Sequence, residues 1–250
     1  MATSGTTAFD LPIDEIVEEA FERTGMRGNR TGYQLKSARR SLNILLTEWN
    51  NRGINLWKIK LATVPLVEGQ AQYTYANDNT NFPTDISDVL EAYVRNNTTA
   101  TAPVDTTLSK IDRSAYAALA NKLSKGTPSQ YWVDKTRYVR NAAGAVTASP
   151  SVYLYQTPSS SFSGANYHLK FYYVAKIEDA GAYTLNADVI HGFIPPMCSG
   201  LAYYLSLKYS PDTAQANKLI YEDEMARAVA ADGSRSSTYI TPQTFYGDGV

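Results

Sequence analysis

A chain of 250 residues is long enough for one large domain or two small ones with real cores. Its composition is ordinary for a globular protein, 44% hydrophobic and 19% charged, with a formal net charge of -1, which argues against a role that neutralises phosphate with a broad basic face. The single cysteine, Cys198, excludes an internal disulfide and any multi-cysteine metal site, and no run approaches the roughly 18 apolar residues of a membrane span.

The first predicted helix has Asp10 as its cap, Pro12 in its first turn, and Asp14 and Glu15 at its positive end. Ile13, Ile16, Val17, Ala20 and Phe21 share one face at helical spacing, and Gly25 is placed to stop the helix. Ahead of it, residues 1–9 lack the basic and apolar regions of a signal peptide, so none is expected. Thr31-Gly32-Tyr33-Gln34 has the pattern of a capping box and opens a second helix. Its apolar stripe is Leu35, Ala38, Leu42, Leu45, Leu46 and Trp49, and Gly53 ends it. The short link predicts an antiparallel hairpin. Arg39 and Arg40 fall on its polar flank, as a solvated face or as a partner contact.

Near Leu56 the period changes from helical to alternating. Trp57, Ile59 and Leu61 alternate with Lys58, Lys60 and Ala62, which predicts a strand with the first set buried. Residues 64–75 and 89–95 read as further strands, with polar loops at 76–88 and 98–107. Residues 112–123 read as a short helix broken by Gly126-Thr127-Pro128. Strands at 131–140, 152–156 and 167–176, joined by turns, predict an antiparallel meander. Residues 186–209 return to helix with a break or kink at Pro195-Pro196. Ser210-Pro211-Asp212 restarts it, followed by Ala216, Leu219, Ile220, Asp223 and Met225, a face that is apolar but narrow. From Gly233 the chain is Ser, Thr, Gly and Tyr without a period and is expected to form no core of its own.

The expected architecture is α+β. The N- and C-terminal helices close a four-helix bundle, an antiparallel β-rich domain is inserted between them, and an extended C-terminal tail follows. The boundaries are 1–55 for the first helical hairpin, 56–184 for the β-rich domain with one short helix, 185–232 for the second helix pair and 233–250 for the tail. Tyr239, Ile240, Phe245 and Tyr246 in that tail are the candidate partner-binding anchors. The 19 tyrosines against 7 phenylalanines suit wet interfaces, or simply strands.

The residues of catalysis do not converge. His168 and His191 form no metal-binding spacing, and Met197-Cys198-Ser199-Gly200-Leu201 is not a nucleophile elbow. Cys198 reads as a small buried hydrophobe. The carboxylate pairs Asp85/Asp88 and Glu178/Asp179 and the cluster Glu222/Asp223/Glu224 show no acid–base arrangement by spacing alone. No phosphate-binding loop occurs. Trp57, Trp132 and the tyrosines fit either a sugar-stacking face or sheet packing. No cofactor, no metal and no enzymatic activity are expected.

A set of segments in fixed order carries a resemblance. It runs through Glu18-Glu19-Ala20-Phe21-Glu22-Arg23, Ala38-Arg39-Arg40-Ser41-Leu42-Asn43, Arg52-Gly53-Ile54-Asn55-Leu56-Trp57 and Asp112-Arg113-Ser114-Ala115-Tyr116. Lys125-Gly126-Thr127-Pro128-Ser129-Gln130-Tyr131, Gly200-Leu201-Ala202-Tyr203-Tyr204-Leu205 and Tyr221-Glu222-Asp223-Glu224 complete it. Over nearly its whole length the chain resembles the head-to-tail adaptor (connector) proteins of short-tailed bacteriophages, related in plan to the tail tubular protein A group. The resemblance implies a structural protein of the virion neck, made in the host cytoplasm. It implies a homo-oligomeric ring, usually of twelve copies, between a portal protein and a tail nozzle protein. Genomic DNA would pass through the lumen during ejection without specific binding, and no membrane would be involved. By the same resemblance residues 233–250 would be an arm that docks on the portal or a neighbouring subunit. The alternative is a β-rich virion module that binds glycans or a receptor.

Overall fold

A computed structural model describes residues 11–26, 28–53, 58–144 and 146–232. Five α-helices and eleven strands are assigned among them, in the order α1 (Ile13–Arg23), α2 (Gly32–Asn51), β1 (Ile59–Pro65), β2 (Gln72–Thr74), β3 (Ile86–Asn96), β4 (Val104–Lys110), α3 (Arg113–Ala118), β5 (Lys125–Gly126) and β6 (Gln130–Asp134), then β7 (Val139–Arg140), β8 (Val146–Ala148), β9 (Ser151–Tyr155), β10 (Thr157–Pro158), β11 (Tyr167–Ala175), α4 (Ile194–Tyr209) and α5 (Pro211–Asp232). The fold is mixed α+β. It divides into two compact units, one of residues 1–45 with 180–250 and one of residues 46–179.

The helical unit is organised by α4. This helix buries Met197, Cys198, Ser199, Gly200, Leu201, Ala202, Leu205 and Ser206, so it has almost no polar face. A helix apolar all round belongs in the middle of its neighbours. The α1 and α5 helices both pack against it. On the α2 side, Lys208 of α4 donates to the Ser37 and Ser41 hydroxyls. Gly200 lets α4 approach closely, since a Cβ there would lie 2.9 Å from Leu45 of α2 and 2.9 Å from Tyr221 of α5.

The helix starts follow local chemistry. The capping box at α2 is reciprocal: the Thr31 amide donates to the Gln34 side chain at 2.9 Å, and the Gln34 amide donates to the Thr31 hydroxyl at 3.3 Å. Gly53 takes a φ of 73° just past the end of α2, a conformation glycine adopts without a Cβ clash. At α1, Pro12 is the N-cap, two residues later than the expected cap Asp10, which itself lies outside the described residues. Pro195 and Pro196 open α4 and do not kink it. In a first turn the missing proline N–H removes a donor that has no intrahelical partner anyway. Residues 186–190 are therefore not helical.

The buried stripe of α5 also differs from expectation. Ala214, Asn217, Tyr221, Met225 and Ala228 face inward, and Leu219 and Ile220 are exposed. Tyr221 fits against the small Gly200, and that contact sets the rotation of the helix.

The strand unit holds a seven-stranded sheet in the order β1-β11-β3-β4-β6-β9-β2. One continuous core takes Ala62 and Val64 from one edge strand, Tyr73 from the other, and inward residues from every strand between. Two edges share a core only if the sheet curls on itself. The β4–β6 pair is parallel and the other five pairings of this sheet are antiparallel. This departs from the wholly antiparallel expectation because α3 lies between β4 and β6 and carries the crossover that parallel neighbours need. The meander is likewise corrected. The β6 and β9 strands pair, but the far side of β9 is taken by β2, and β11 lies between β1 and β3.

The face of β1 is opposite to the one expected. Ala62 and Val64 point inward and Lys58 is 4% exposed, while Leu61 is 43% exposed. Apolar residues sit on both parities of this strand, so its own alternation cannot choose a face. Its partner chooses: Ala62 is opposite Phe171 and Val64 opposite Leu169 of β11. In β3, register shifts opposite Tyr172/Tyr173 and Val174/Ala175 leave Leu90 and Ser87 unpaired. These bulges let Ile86, Val89 and Ala92, each three apart, face the same core.

Candidate functional site

Among the described residues, Cys198, His168, His191 and the clustered acids show no convergent arrangement. Cys198 is buried in α4, and burial pushes its thiol up to about 11, so it holds its proton and is no nucleophile at neutral pH. His191 is exposed in the short turn before α4, whereas His168 is on β11 of the other unit. Among the described residues no group of three or more His, Cys, Asp or Glu is placed to hold a metal ion.

The acids serve as ties. Asp85 pairs with Lys60 at 3.2 Å, and Asp88 with Lys110 at 3.0 Å and Lys135 at 3.1 Å. Burial pushes the Asp88 carboxyl up, but the hydrogen bonds from Lys110 and Lys135 outweigh it and hold it below its ordinary value. Asp105 takes a two-pronged bond from Arg95, at 2.7 and 2.6 Å, which lowers its carboxyl too. Asp223 pairs with Arg227 at 2.8 Å, and Glu224 lies 3.7 Å from Arg23. Asp88 and Asp105, held ionised by these partners, are poor proton donors.

These shifts set a pH dependence. Burial, with Lys170 two residues along the strand, pushes His168 below its ordinary 6.5. The unfolded chain therefore takes up that proton first. The stabilisation is complete above 6.5 and is lost as the pH falls below it. The depressed Asp88 and Asp105 add a further loss below the ordinary carboxylate value of 3.8. The expected result is a urea midpoint that falls between pH 7 and pH 5, and falls less in His168→Gln. A midpoint independent of pH over that range would contradict the assignment.

Two aromatic surfaces remain on the strand unit. On the outward face of β1, β11 and β3, Ile59, Leu61, Leu90 and Tyr172 are exposed, and the Tyr93 and Tyr172 rings meet at 6.5 Å. Elsewhere Trp132 stacks on Tyr153 at 4.8 Å and on Tyr116 at 5.3 Å. Lys122 lies 5.7 Å from the Tyr116 ring. These rings spend their faces on one another, which is the sheet-packing alternative. Trp57 lies outside the described residues.

The helical unit separates its charges by sign. On α1, Glu15, Glu18 and Glu22 share an exposed stripe and have no ion pair among the described residues. Beside it a cleft of about 400 Å³ has Leu11, Ile194 and Pro195 in its wall. On α2, Tyr33, Lys36, Arg40 and Ile44 share an exposed stripe at helical spacing. Arg39, one residue off it, is committed: its Nε donates to the Ala180 carbonyl at 3.0 Å and its guanidinium lies 6.0 Å from the Tyr183 ring. The sequence pattern placed Arg39 and Arg40 on a polar flank of α2 and identified neither stripe as a face. The four tail anchors, Tyr239, Ile240, Phe245 and Tyr246, lie outside the described residues.

No helix among the described residues is long and apolar enough to cross a membrane. None of the curated proteins matches the chain. The family model described as SU10 adaptor protein matches residues 12–244, which takes in both units and nearly every element above. The resemblance to phage head-to-tail adaptors is thereby shown, with the virion as the site of action and other phage head and tail proteins as its associates, and the chain belongs to the SU10 adaptor protein family.

Proposed function

We propose that this chain is a structural subunit of the phage neck. Copies of it form a ring, of twelve by resemblance, which joins the portal to the tail nozzle and continues the DNA channel. The family match over residues 12–244 carries this reading. A plan shared with the tail tubular protein A group, a four-helix bundle of α1, α2, α4 and α5 with the strand unit inserted, belongs to the same reading. The near-neutral charge of -1 suits a lumen that must pass DNA rather than hold it. The work is mechanical and needs no catalytic residue.

In this reading residues 233–250 are a docking arm, with Tyr239, Ile240, Phe245 and Tyr246 as its anchors on the portal or a neighbouring subunit. Apolar anchors on a polar segment concentrate binding energy in a few side chains. Deleting residues 233–250 is expected to leave the urea midpoint unchanged and to abolish capture of the chain by purified portal protein. Undiminished capture of the truncated chain would remove the arm from the account. The glycan- or receptor-binding alternative draws on the Trp132 stack, and retention of the chain on immobilised glycans without portal would favour it.

A further inference from the structure

The separation of charge on the helical unit has a counterpart in the remaining ion pairs. Where these helices carry both signs, they use them locally: Glu19 pairs with Arg23 and Asp223 with Arg227, each one helical turn apart. A solvated helix face is normally mixed in this way. The α1 stripe is different, since Glu15, Glu18 and Glu22 follow one another with no base of that helix between them, and Arg30, which lines a cavity with Glu18 and Glu22, spends its guanidinium on the Met26 and Gly28 carbonyls. The α2 stripe is its inverse, with Lys36 and Arg40 adjacent along the helix. Lys208 of α4 lies close enough to Arg40 to feel its charge. Like charges one turn apart are unfavourable on an isolated helix.

The apolar groups follow the same division. The α2 stripe exposes two large side chains, Tyr33 at 73% and Ile44 at 49%, one at each end of its two cations. The α1 stripe borders the cleft of about 400 Å³ whose wall includes Leu11, Ile194 and Pro195. One surface is thus a basic strip with apolar knobs, and the other is a cleft of mixed lining, apolar at Leu11, Ile194 and Pro195, occupied by the Glu19–Arg23 pair, and rimmed by Glu15, Glu18 and Glu22. Glu15, Glu18 and Glu22 lie opposite the buried stripe of α1, and Tyr33, Lys36, Arg40 and Ile44 lie opposite that of α2. The α2 stripe points away from the body that its helix helps to form, and the α1 stripe lines clefts at the surface of that body. No ion pair joins the two stripes within the chain among the described residues.

We propose that the acid-rimmed groove beside α1 of one copy receives the Tyr33–Lys36–Arg40–Ile44 face of α2 from a second copy of this chain. The occupant is argued from charge complementarity together with the match of knobs to groove. The two faces differ, so the contact is heterologous. Every copy bound through one face keeps the other free, and the series closes as a ring when the rotation allows. The inference deepens the ring reading above: it rests on that reading for closure and copy number, and on the two faces for the contact.

The test is sedimentation equilibrium of the full chain up to millimolar concentration at low and high salt. Self-association is expected to weaken about tenfold or more as salt screens the faces. Reversing one face, as Glu15→Lys with Glu18→Lys and Glu22→Lys, or as Lys36→Glu with Arg40→Glu, is expected to abolish it. The chain carrying all five reversals is expected to associate again, and the two single-face variants are expected to associate when mixed. Far-UV circular dichroism checks that each variant is folded, and Tyr33→Ala with Ile44→Ala, which changes no charge, is expected to weaken association as well. Association that survives both reversals, no recovery in the five-fold variant, or a wild-type chain that stays monomeric throughout would overturn this contact. The ring reading is judged separately, from the neck of the virion. A ring there whose copies meet through other faces would leave that reading standing and remove this one.

Discussion

Trp49→Ala is expected to be among the most damaging single substitutions in the described chain, costing about 3–5 kcal/mol. Trp49 is fully buried, and Leu42, Leu45 and Leu46 are buried along the same helix. Truncating a large ring there removes its transfer free energy and leaves a cavity that rigid neighbours fill only in part. Measured by urea denaturation, the loss would take a large share of a typical domain stability of roughly 5–15 kcal/mol. Tyr33→Ala is the matched control on the same helix, because that side chain is mostly exposed and its loss should be nearly silent. A Trp49→Ala chain as stable as the parent would show that α2 is rotated from the placement described.

Gly200→Val should rank next. The helix would accept a side chain on propensity alone, since glycine is worse than alanine by about 1 kcal/mol in a helix interior. The space refuses it. A Cβ at this position would lie 2.9 Å from Leu45 Cδ1 and 2.9 Å from Tyr221 Cε2. Leu45 can shift a methyl group, but the Tyr221 ring is buried and has little room to move. Valine adds two further methyls, and overpacking of this kind costs about 1–3 kcal/mol. Gly200→Ala should cost less, because improved helix propensity offsets part of the clash. If Gly200→Val matched the parent in its urea midpoint, α4 would not be the closely packed centre of the helical unit.

How far the sequence reveals the fold depends on whether the deciding interaction is local. The α2 start was legible because a capping box needs only Thr31 and Gln34. The buried faces of α1 and α2 were legible from helical spacing. The burial of Cys198 was also legible, from its apolar surroundings. The inward face of β1 was not, because Ile59 and Leu61 compete with Ala62 and Val64, and only the pairing with Leu169 and Phe171 of β11 decides. The bulges of β3 break the two-residue period that strand reading relies on. The rotation of α5 was hidden for a related reason: it depends on Gly200, eleven residues upstream of Pro211 and on another helix. At the candidate site, the sequence showed Arg39 and Arg40 as polar flank and did not single out the glutamates of α1 as a face. The separation of sign between the two faces emerges only when ion pairs such as Glu19–Arg23 are removed from consideration.

The same distinction bears on function. A catalytic site declares itself through a few residues with perturbed titration and convergent geometry. Here the lowered carboxyls of Asp88 and Asp105 are bound to lysine and arginine, that of Asp78 is bound by Asn81 and the Thr80 amide, and the one thiol is buried and protonated. The features left over are surfaces: an outward sheet face with exposed Ile59, Leu61 and Tyr172, and two helix faces of opposite charge. That inventory accords with an adaptor, whose work lies in its contacts with other proteins of the particle.

Cryo-electron microscopy of the virion neck decides whether this chain lines the DNA channel. The expected picture is a closed ring of copies of this chain directly between portal and tail nozzle, with the DNA channel running through its centre. A neck in which this chain is absent from the channel wall, or is attached only at the periphery of the particle, would contradict it.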